Sequence, residues 1–303
     1  MRVLLTGASS FTGAWFVHAL AEAGHEVVAP LRAAGGYDDP IRRRRVAALE
    51  GRARLVPAAP FGSAAFLALI AAEGPFDVLC CHGAETADYK SPGFDADAAV
   101  AANTAGLPQA LEAMKAAGGR RLVVTGTVFE GGEGRGTEPL ADFSPYGASK
   151  RRTAEIMAAE AAKAGLEYVK FVIPNPFGPH EGPTFQRRVM SGWAAGEAIH
   201  VSHPLYVRDN VPVDLLALAY ARAVEGRSGA HSSPSFYAGP VGAFFERMAQ
   251  ETRARTGLAC RLTLADSQSF DEPEARINLE PLNPADHGWS EAAFWDAYVA
   301  HYA

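Results

Sequence analysis

Arg2-Val3-Leu4-Leu5-Thr6-Gly7-Ala8-Ser9-Ser10-Phe11-Thr12-Gly13 opens the chain after Met1, and its reading decides the fold. Arg2 to Leu5 reads as a strand, and its apolar residues run without the polar alternation of a half-exposed strand, as in strands buried on both faces. A helical pattern from Phe11 to Ala23 follows, and Gly24 ends it. Between the two, Gly7 permits a tight turn. A small residue at position 10 lets the backbone approach a bound group, and Gly13 lets the helix pack closely on the sheet. The amides at the helix start, with the helix dipole behind them, form an anion site suited to a pyrophosphate. A bare Gly-x5-Gly spacing is weak; its place between a first strand and a first helix makes it specific.

Working outward, strand-like runs recur at Glu26 to Ala29, Arg54 to Pro57, Asp77 to Cys81, Arg121 to Thr125 and Tyr168 to Ile173. Helical patterns alternate with them at Ser63 to Glu73, Asp95 to Ala117 and Pro145 to Ala164. This alternation predicts an α/β fold, a Rossmann-like doubly wound parallel sheet. Ligands of such sheets bind at the carboxyl ends of the strands. After Ile173 the prolines 174, 176, 179, 183 and 204 break the pattern. A helical pattern returns over Val211 to Val224, and a Trp- and Tyr-bearing helix closes the chain near Ser290 to Tyr302. We therefore expect a dinucleotide-binding domain over 1–173 plus roughly 209–238, and a smaller C-terminal α/β substrate lobe over 174–208 and 239–303.

With 303 residues, one large domain, or one domain with a smaller attached lobe, is the expected organisation. The net charge of −6 argues against a nucleic-acid partner. Its one basic run, Arg42-Arg43-Arg44-Arg45 beside Asp38 and Asp39, reads as a solvated helix face. Cys80, Cys81 and Cys260 have neither metal-ligand nor disulfide-framework spacing, so no metal is expected. Without a signal peptide or a long apolar span, the expectation is a cytoplasmic chain with no membrane partner.

Tyr146-Gly147-Ala148-Ser149-Lys150 follows the N-cap signal Ser144-Pro145, so Tyr146 and Lys150 share one helix face. A phenol near its usual pKa is a poor base at neutral pH, and a nearby ammonium is expected to lower that pKa. The pair then exchanges the proton of a carbonyl/alcohol couple while hydride moves. Thr125 lies near the end of the preceding strand, where a hydroxyl can bond the reacting oxygen. Asn103 and His82-Gly83-Ala84 lie on elements that reach the same edge. The second strand runs into Pro30-Leu31-Arg32, without the carboxylate that bonds a ribose 2′-hydroxyl in NAD sites. Arg32 there favours a 2′-phosphate, and so NADP over NAD, with NAD still possible; Ser9 and Ser10 offer hydroxyls.

Together these motifs resemble the extended short-chain dehydrogenase/reductase family, in its nucleotide-sugar epimerase, dehydratase and reductase branch. The resemblance covers most of the chain. It rests on Thr6-Gly7…Gly13, Asp77…His82-Gly83-Ala84, Asn103, Thr125, Tyr146…Lys150, Asn175…Phe177-Gly178-Pro179 and Arg208-Asp209-Asn210-Val211-Pro212-Val213-Asp214. It implies a catalytic set of Thr125, Tyr146 and Lys150. It implies cofactor contacts from Gly7, Ser9, Ser10, Phe11, Thr12, Gly13, Arg32, His82, Gly83, Ala84, Asn103 and Pro174, with Tyr146 and Lys150 among them. A nucleotide-sugar substrate would meet Thr86, Thr127, Asn175, Arg208 and Arg276. The resemblance also implies a homodimer formed through the helices at 95–117 and 145–164.

The sequence departs from the family pattern in several places. Ser10 replaces the middle glycine, Ala58-Ala59-Pro60 replace an acidic adenine contact, and Val172 stands where an arginine is common. Sugar 4,6-dehydratases carry Asp-Glu after the catalytic threonine; here Gly126-Thr127 follow. That argues against dehydration. Reduction of a 4-keto sugar is the leading expectation, with 4-epimerisation or reduction of a non-sugar carbonyl as alternatives.

Overall fold

Seven strands form one parallel sheet among the described residues, in the spatial order His231–Ser232, Glu167–Ile173, Arg121–Thr127, Val78–Cys81, Arg2–Leu5, Glu26–Pro30, Arg54–Val56. The order reverses beside Arg2–Leu5, which pairs with Val78–Cys81 on one side and Glu26–Pro30 on the other. That reversal opens the crevice in which such sheets bind ligands. The computed structural model describes residues 1–266, 270 and 272–302.

The sheet lies in the first of two compact units, Met1–Glu133, Ala141–Ile173 and Ala217–Ser232. Its strands are apolar on both faces because helices cover both. On one face Leu4, Leu79, Leu122 and Val124 pack with Phe66, Leu111, Ala154 and Met157. On the other, Phe16 stacks on Tyr220 at 3.8 Å with Phe171 edge-on to both. Ser10, Ser63, Asp95 and Ser144 each cap a helix by accepting a backbone N–H, which typically stabilises by about 1 kcal/mol per cap.

The helix expected over 95–117 is two helices, Ala96–Thr104 and Leu107–Ala116. Gly106 breaks it at φ +67°; a Cβ there would lie 2.4 Å from the Gly62 carbonyl oxygen. Packing of the two backbones, invisible to helical periodicity, sets this break.

The second unit is Gly134–Leu140, Pro174–Leu216 and Ser233–Ala303. The stretches 134–140, 209–216 and 233–238, expected with the sheet domain, fall in this unit. Val207–Pro212 is the centre of a separate sheet, parallel to Asn175–Phe177 and antiparallel to Tyr237–Pro240. Phe177 is fully buried at the hub of an aromatic core, edge-on to Phe244, Phe294 and Tyr298 and near Trp295. The closing helix is Glu291–Tyr302, as the periodicity predicts.

Glu181 is buried in this unit and accepts hydrogen bonds from Tyr298 at 2.7 Å, Tyr302 at 3.3 Å and Thr184 at 2.5 Å. Burial pushes its carboxyl up to about 7, against the pull of those hydroxyls. An acid with a raised folded pKa holds its proton longer in the folded than in the unfolded state. Its effect on stability is absent below about pH 4.5, and stability is lost as pH rises to about 7. Across that window the loss is about 1.4 kcal/mol per pH unit. Denaturant melts of Glu181→Gln and of the wild type should therefore differ by an amount that grows from pH 5 to pH 7 in favour of the variant. A constant difference would show that Glu181 does not titrate there.

Candidate active site

The turn after the first strand is built on close backbone contact. Gly7 has φ +77°, and a Cβ on it would lie 2.6 Å from the Gly83 nitrogen; one on Gly13 would lie 2.2 Å from the Gly7 oxygen. Thr6 Oγ1 ties the neighbouring strand end to this turn. It accepts from the His82 and Gly83 amides, both at 3.1 Å, and donates to the Cys80 carbonyl at 3.2 Å.

Ser10, in the usual place of a glycine, is accommodated as an N-cap. Its Oγ accepts from the Gly13 amide at 3.0 Å and pairs with His82 Nε2 at 2.9 Å. Thr12 Oγ1 is 3.0 Å from the same nitrogen, and His82 Nδ1 is 3.1 Å from Thr125 Oγ1. His82 thus joins the turn to the fifth strand, Arg121–Thr127. Burial, with the Lys150 ammonium adding, pushes its imidazole down to about 3, so it is neutral at physiological pH.

Tyr146 and Lys150 stand in the first turns of the helix Pro145–Ala164, which begins hard against Phe129: a Cβ on Gly147 would lie 2.3 Å from the Phe129 oxygen. Lys150 is buried and donates to the Thr125 carbonyl at 2.6 Å. The Tyr146 ring packs against Tyr89 at 5.1 Å and Phe94 at 5.9 Å. The expected depression of the phenol by Lys150 is not what the chain alone produces. Burial pushes Tyr146 up, and Tyr89 and Glu130 push the same way. Burial also pushes the Lys150 ammonium down.

A cleft of about 390 Å³ runs between these groups, lined by Gly7, Ser9, Ser10, Thr12, His82, Gly83, Ala84, Thr86, Asn103, Thr125, Tyr146 and Lys150. The glycine cradle, the helix start and a cleft at the sheet reversal fit a dinucleotide. Arg32 also lines the cleft, with its Nη1 3.4 Å from Glu85. Asn103 is committed to structure as well: its Oδ1 accepts from the Glu85 amide at 2.7 Å and its Nδ2 donates to Thr153 at 3.4 Å. Phe11 instead lies under the Arg45 guanidinium at 5.6 Å.

A family model described as the NAD dependent epimerase/dehydratase family matches residues 3–231. The chain belongs to that family. Among solved structures it is similar to UDP-glucuronic acid 4-epimerase from Bacillus cereus, solved with UDP-glucuronic acid and NAD, at 17% identity over 100% of this chain and 99% of that one, TM-score 0.74. It is also similar to the dTDP-glucose 4,6-dehydratase DesIV from Streptomyces venezuelae, at 19% identity over 100% and 97%, TM-score 0.73. A third is UDP-glucose 4-epimerase from Thermus thermophilus, solved with NAD, at 23% identity over 100% and 99%, TM-score 0.69. No curated protein sequence matches the chain significantly. No helix among the described residues is long and apolar enough to cross a membrane, and no group of residues there could hold a metal ion.

The enzyme holds its remaining expected site residues in the second unit. Asn175 pairs with Asn210 in the three-stranded sheet, beside Pro174. Arg208 donates to the Val207 and Glu274 carbonyls and to Glu272, and its guanidinium lies 4.4 Å from the centre of the Tyr206 ring. Arg276 is fully buried on a short strand paired with Arg135–Gly136.

Thr125 and Thr127 differ in their commitments. Val124 packs towards the helix of Tyr146, so Thr125 points to the opposite face of its strand. There its hydroxyl bonds His82, whose ring is edge-on to Phe16. Thr127 ends the strand at the carboxyl rim.

Sequence reasoning missed Glu130. No carboxylate follows Thr125 directly, yet the chain folds Glu130 back, fully buried, so that Oε1 accepts the Thr127 amide at 2.7 Å. Lys170 neutralises it at 2.6 Å and bridges to Glu133, also at 2.6 Å, and Glu133 meets His231 at 2.9 Å. Gly126 makes room for this pair: a Cβ there would be 2.8 Å from both Glu130 Oε1 and Lys170 Cε. The lysine within the run Tyr168 to Ile173 is the signal in the sequence. Removing one partner of a buried pair leaves a charge unpaired, which typically costs about 3–5 kcal/mol. Lys170→Met should lose stability of that order in urea melts, and more than Lys163→Met on the exposed helix surface. Equal losses in the two variants would refute the buried-pair reading.

Proposed function

We propose that the enzyme reduces the 4-keto group of a nucleotide-activated sugar, with NADPH as the cofactor and Tyr146 as general acid. The carrying observation is Tyr146 itself, a phenol at the carboxyl edge of a Rossmann sheet, packed between Tyr89 and Phe94 with Lys150 one helical turn away. Its burial holds the proton on the phenol, as an acid that must donate to a ketone oxygen requires. A bound nicotinamide supplies the hydride. Gly7, Ser9, Ser10 and Thr12 would hold its pyrophosphate, Lys150 its ribose, and Arg32 the far end of the dinucleotide. Glu130 adds no second acid, because both its oxygens are engaged; this supports reduction over water elimination.

In this reading Thr125 is a positioning residue, its hydroxyl held by His82, and Thr127 at the strand end bonds the reacting oxygen. Thr86 and Asn175 would touch the sugar, and Arg208 and Arg276 its diphosphate. Glu272 would release the Arg208 guanidinium for that contact. We further propose a homodimer, for which Ile156, exposed at 39% on the helix Pro145–Ala164, supplies apolar surface.

The second reading is an NAD-dependent 4-epimerase, favoured by the epimerases among the similar structures. Purified enzyme given NADPH and a nucleoside-diphosphate 4-keto sugar should consume both in equal amounts. Interconversion of sugars without added nicotinamide would establish the epimerase instead. Tyr146→Phe should lower kcat by about 10²–10⁴-fold while cofactor affinity holds; unchanged turnover would remove Tyr146 from the chemistry.

The two threonines give a separate test. Thr127→Val should lower kcat by about 10-fold or more with KM nearly constant, as expected when a bond made in the transition state is lost. Thr125→Val should act mainly on cofactor affinity and thermal stability. The reverse pattern would restore Thr125 as the reacting hydroxyl.

A further inference from the structure

Pro30, Leu31, Arg32, Tyr37, Arg42 and Glu85 are among the residues that line the cleft. Two arginines are in this set, and they are not equivalent. Arg32 is largely exposed and already shares its charge with Glu85 at 3.4 Å. Glu85 is itself fixed, accepting from the Thr86 amide at 3.0 Å and the Ala87 amide at 2.8 Å.

Arg42 belongs to the helix Pro40–Ala47, which Asp39 caps. Of the four consecutive arginines, Arg43 is tied to the Tyr37 and Asp38 carbonyls and Arg45 is buried over Phe11. Arg44 lies on the exposed face. Arg42 alone of the four lines the cleft. Its guanidinium stands 5.2 Å from the centre of the Tyr37 ring, and its Nε is buried without a hydrogen-bond partner. Among the described residues no carboxylate pairs with it within 4.0 Å. A buried N–H without an acceptor is costly, and a guanidinium fork set on an aromatic ring is shaped for a planar pair of anionic oxygens.

We propose that Arg42, rather than Arg32, is the principal ligand for a phosphate monoester on the adenosine ribose of the cofactor, with Tyr37 holding the guanidinium in place. Arg32, paired to Glu85, contributes less. The proposal rests on the NADP reading above and assigns its specificity to a residue in the helix after the second strand. The run of arginines is then only partly a solvated face.

The test is titration calorimetry of the full chain with NADPH and NADH, for wild type, Arg42→Ala, Arg42→Lys and Arg32→Ala, with thermal melts to confirm that each variant is folded. Wild type should bind NADPH more tightly than NADH. Arg42→Ala should weaken NADPH by about 10- to 100-fold, the value of one charge-assisted hydrogen-bond set, and leave NADH within about 3-fold. Arg42→Lys should recover part of the loss, and Arg32→Ala should lose less than Arg42→Ala. Competition by 2′,5′-ADP against 5′-AMP should show the same ranking. If wild type prefers NADPH and Arg42→Ala does not change that preference, the assignment to Arg42 is wrong while the NADP reading stands. A wild type that prefers NADH, or binds both equally, overturns the NADP reading itself.

Discussion

The structure depends on the junction of the first and fourth strands, where Thr6 Oγ1 receives two amides and Gly7 lies against Gly83. Sheet order reverses there, which is where strand ends diverge to admit a ligand in sheets of this kind. The backbones approach too closely for a Cβ on Gly7, and the turn that follows has little freedom. Ser10, the helix start and the cleft wall all take their positions from that contact. His82 extends it sideways to Thr125 and so to the strand whose end faces Tyr146. The turn after the first strand and the end of the fifth strand are therefore one hydrogen-bonded construction.

The charges around this frame are arranged so that few are free. Lys150 is desolvated and held by a carbonyl, His82 is kept neutral by burial, and Glu130 is closed off by Lys170 and the Thr127 amide. A buried network of this kind rigidifies when it is fully satisfied. It leaves Tyr146 as a protic group that lines the cleft with its hydroxyl uncommitted among the described residues. The contrast between Tyr146 and its neighbours identifies it better than the Tyr-x-x-x-Lys spacing, which many helix surfaces carry by chance.

What could be read from sequence was what local physics dictates. Gly7, Gly13 and the strand–helix boundary follow from backbone sterics within a dozen residues. Tyr146 and Lys150 follow from helix periodicity and the Ser144-Pro145 start. Features made by distant parts of the chain were not readable. The break at Gly106 comes from its contact with Gly62. The burial of Glu130 requires Lys170, forty residues away, and the space left by Gly126. The arginine run looked uniform because periodicity does not say which of four side chains meets a cleft formed by other elements. Stretch 209–216 groups with the second unit, and its pairing between Asn210 and Asn175 leaves no local trace in the sequence.

Ser10 shows how such a departure is absorbed. A side chain at the middle glycine position would ordinarily crowd the approach of a phosphate group to the turn. Here its hydroxyl turns to the Gly13 amide and to His82 Nε2, and the histidine finds its own second partner in Thr125. Thr12 Oγ1 meets the same His82 nitrogen at 3.0 Å, so the turn is braced across to the fourth strand by two hydroxyls. Ser10 and His82 are accordingly better understood as one unit. Burial of this unit, with the Lys150 ammonium adding, is what keeps the imidazole without a charge of its own.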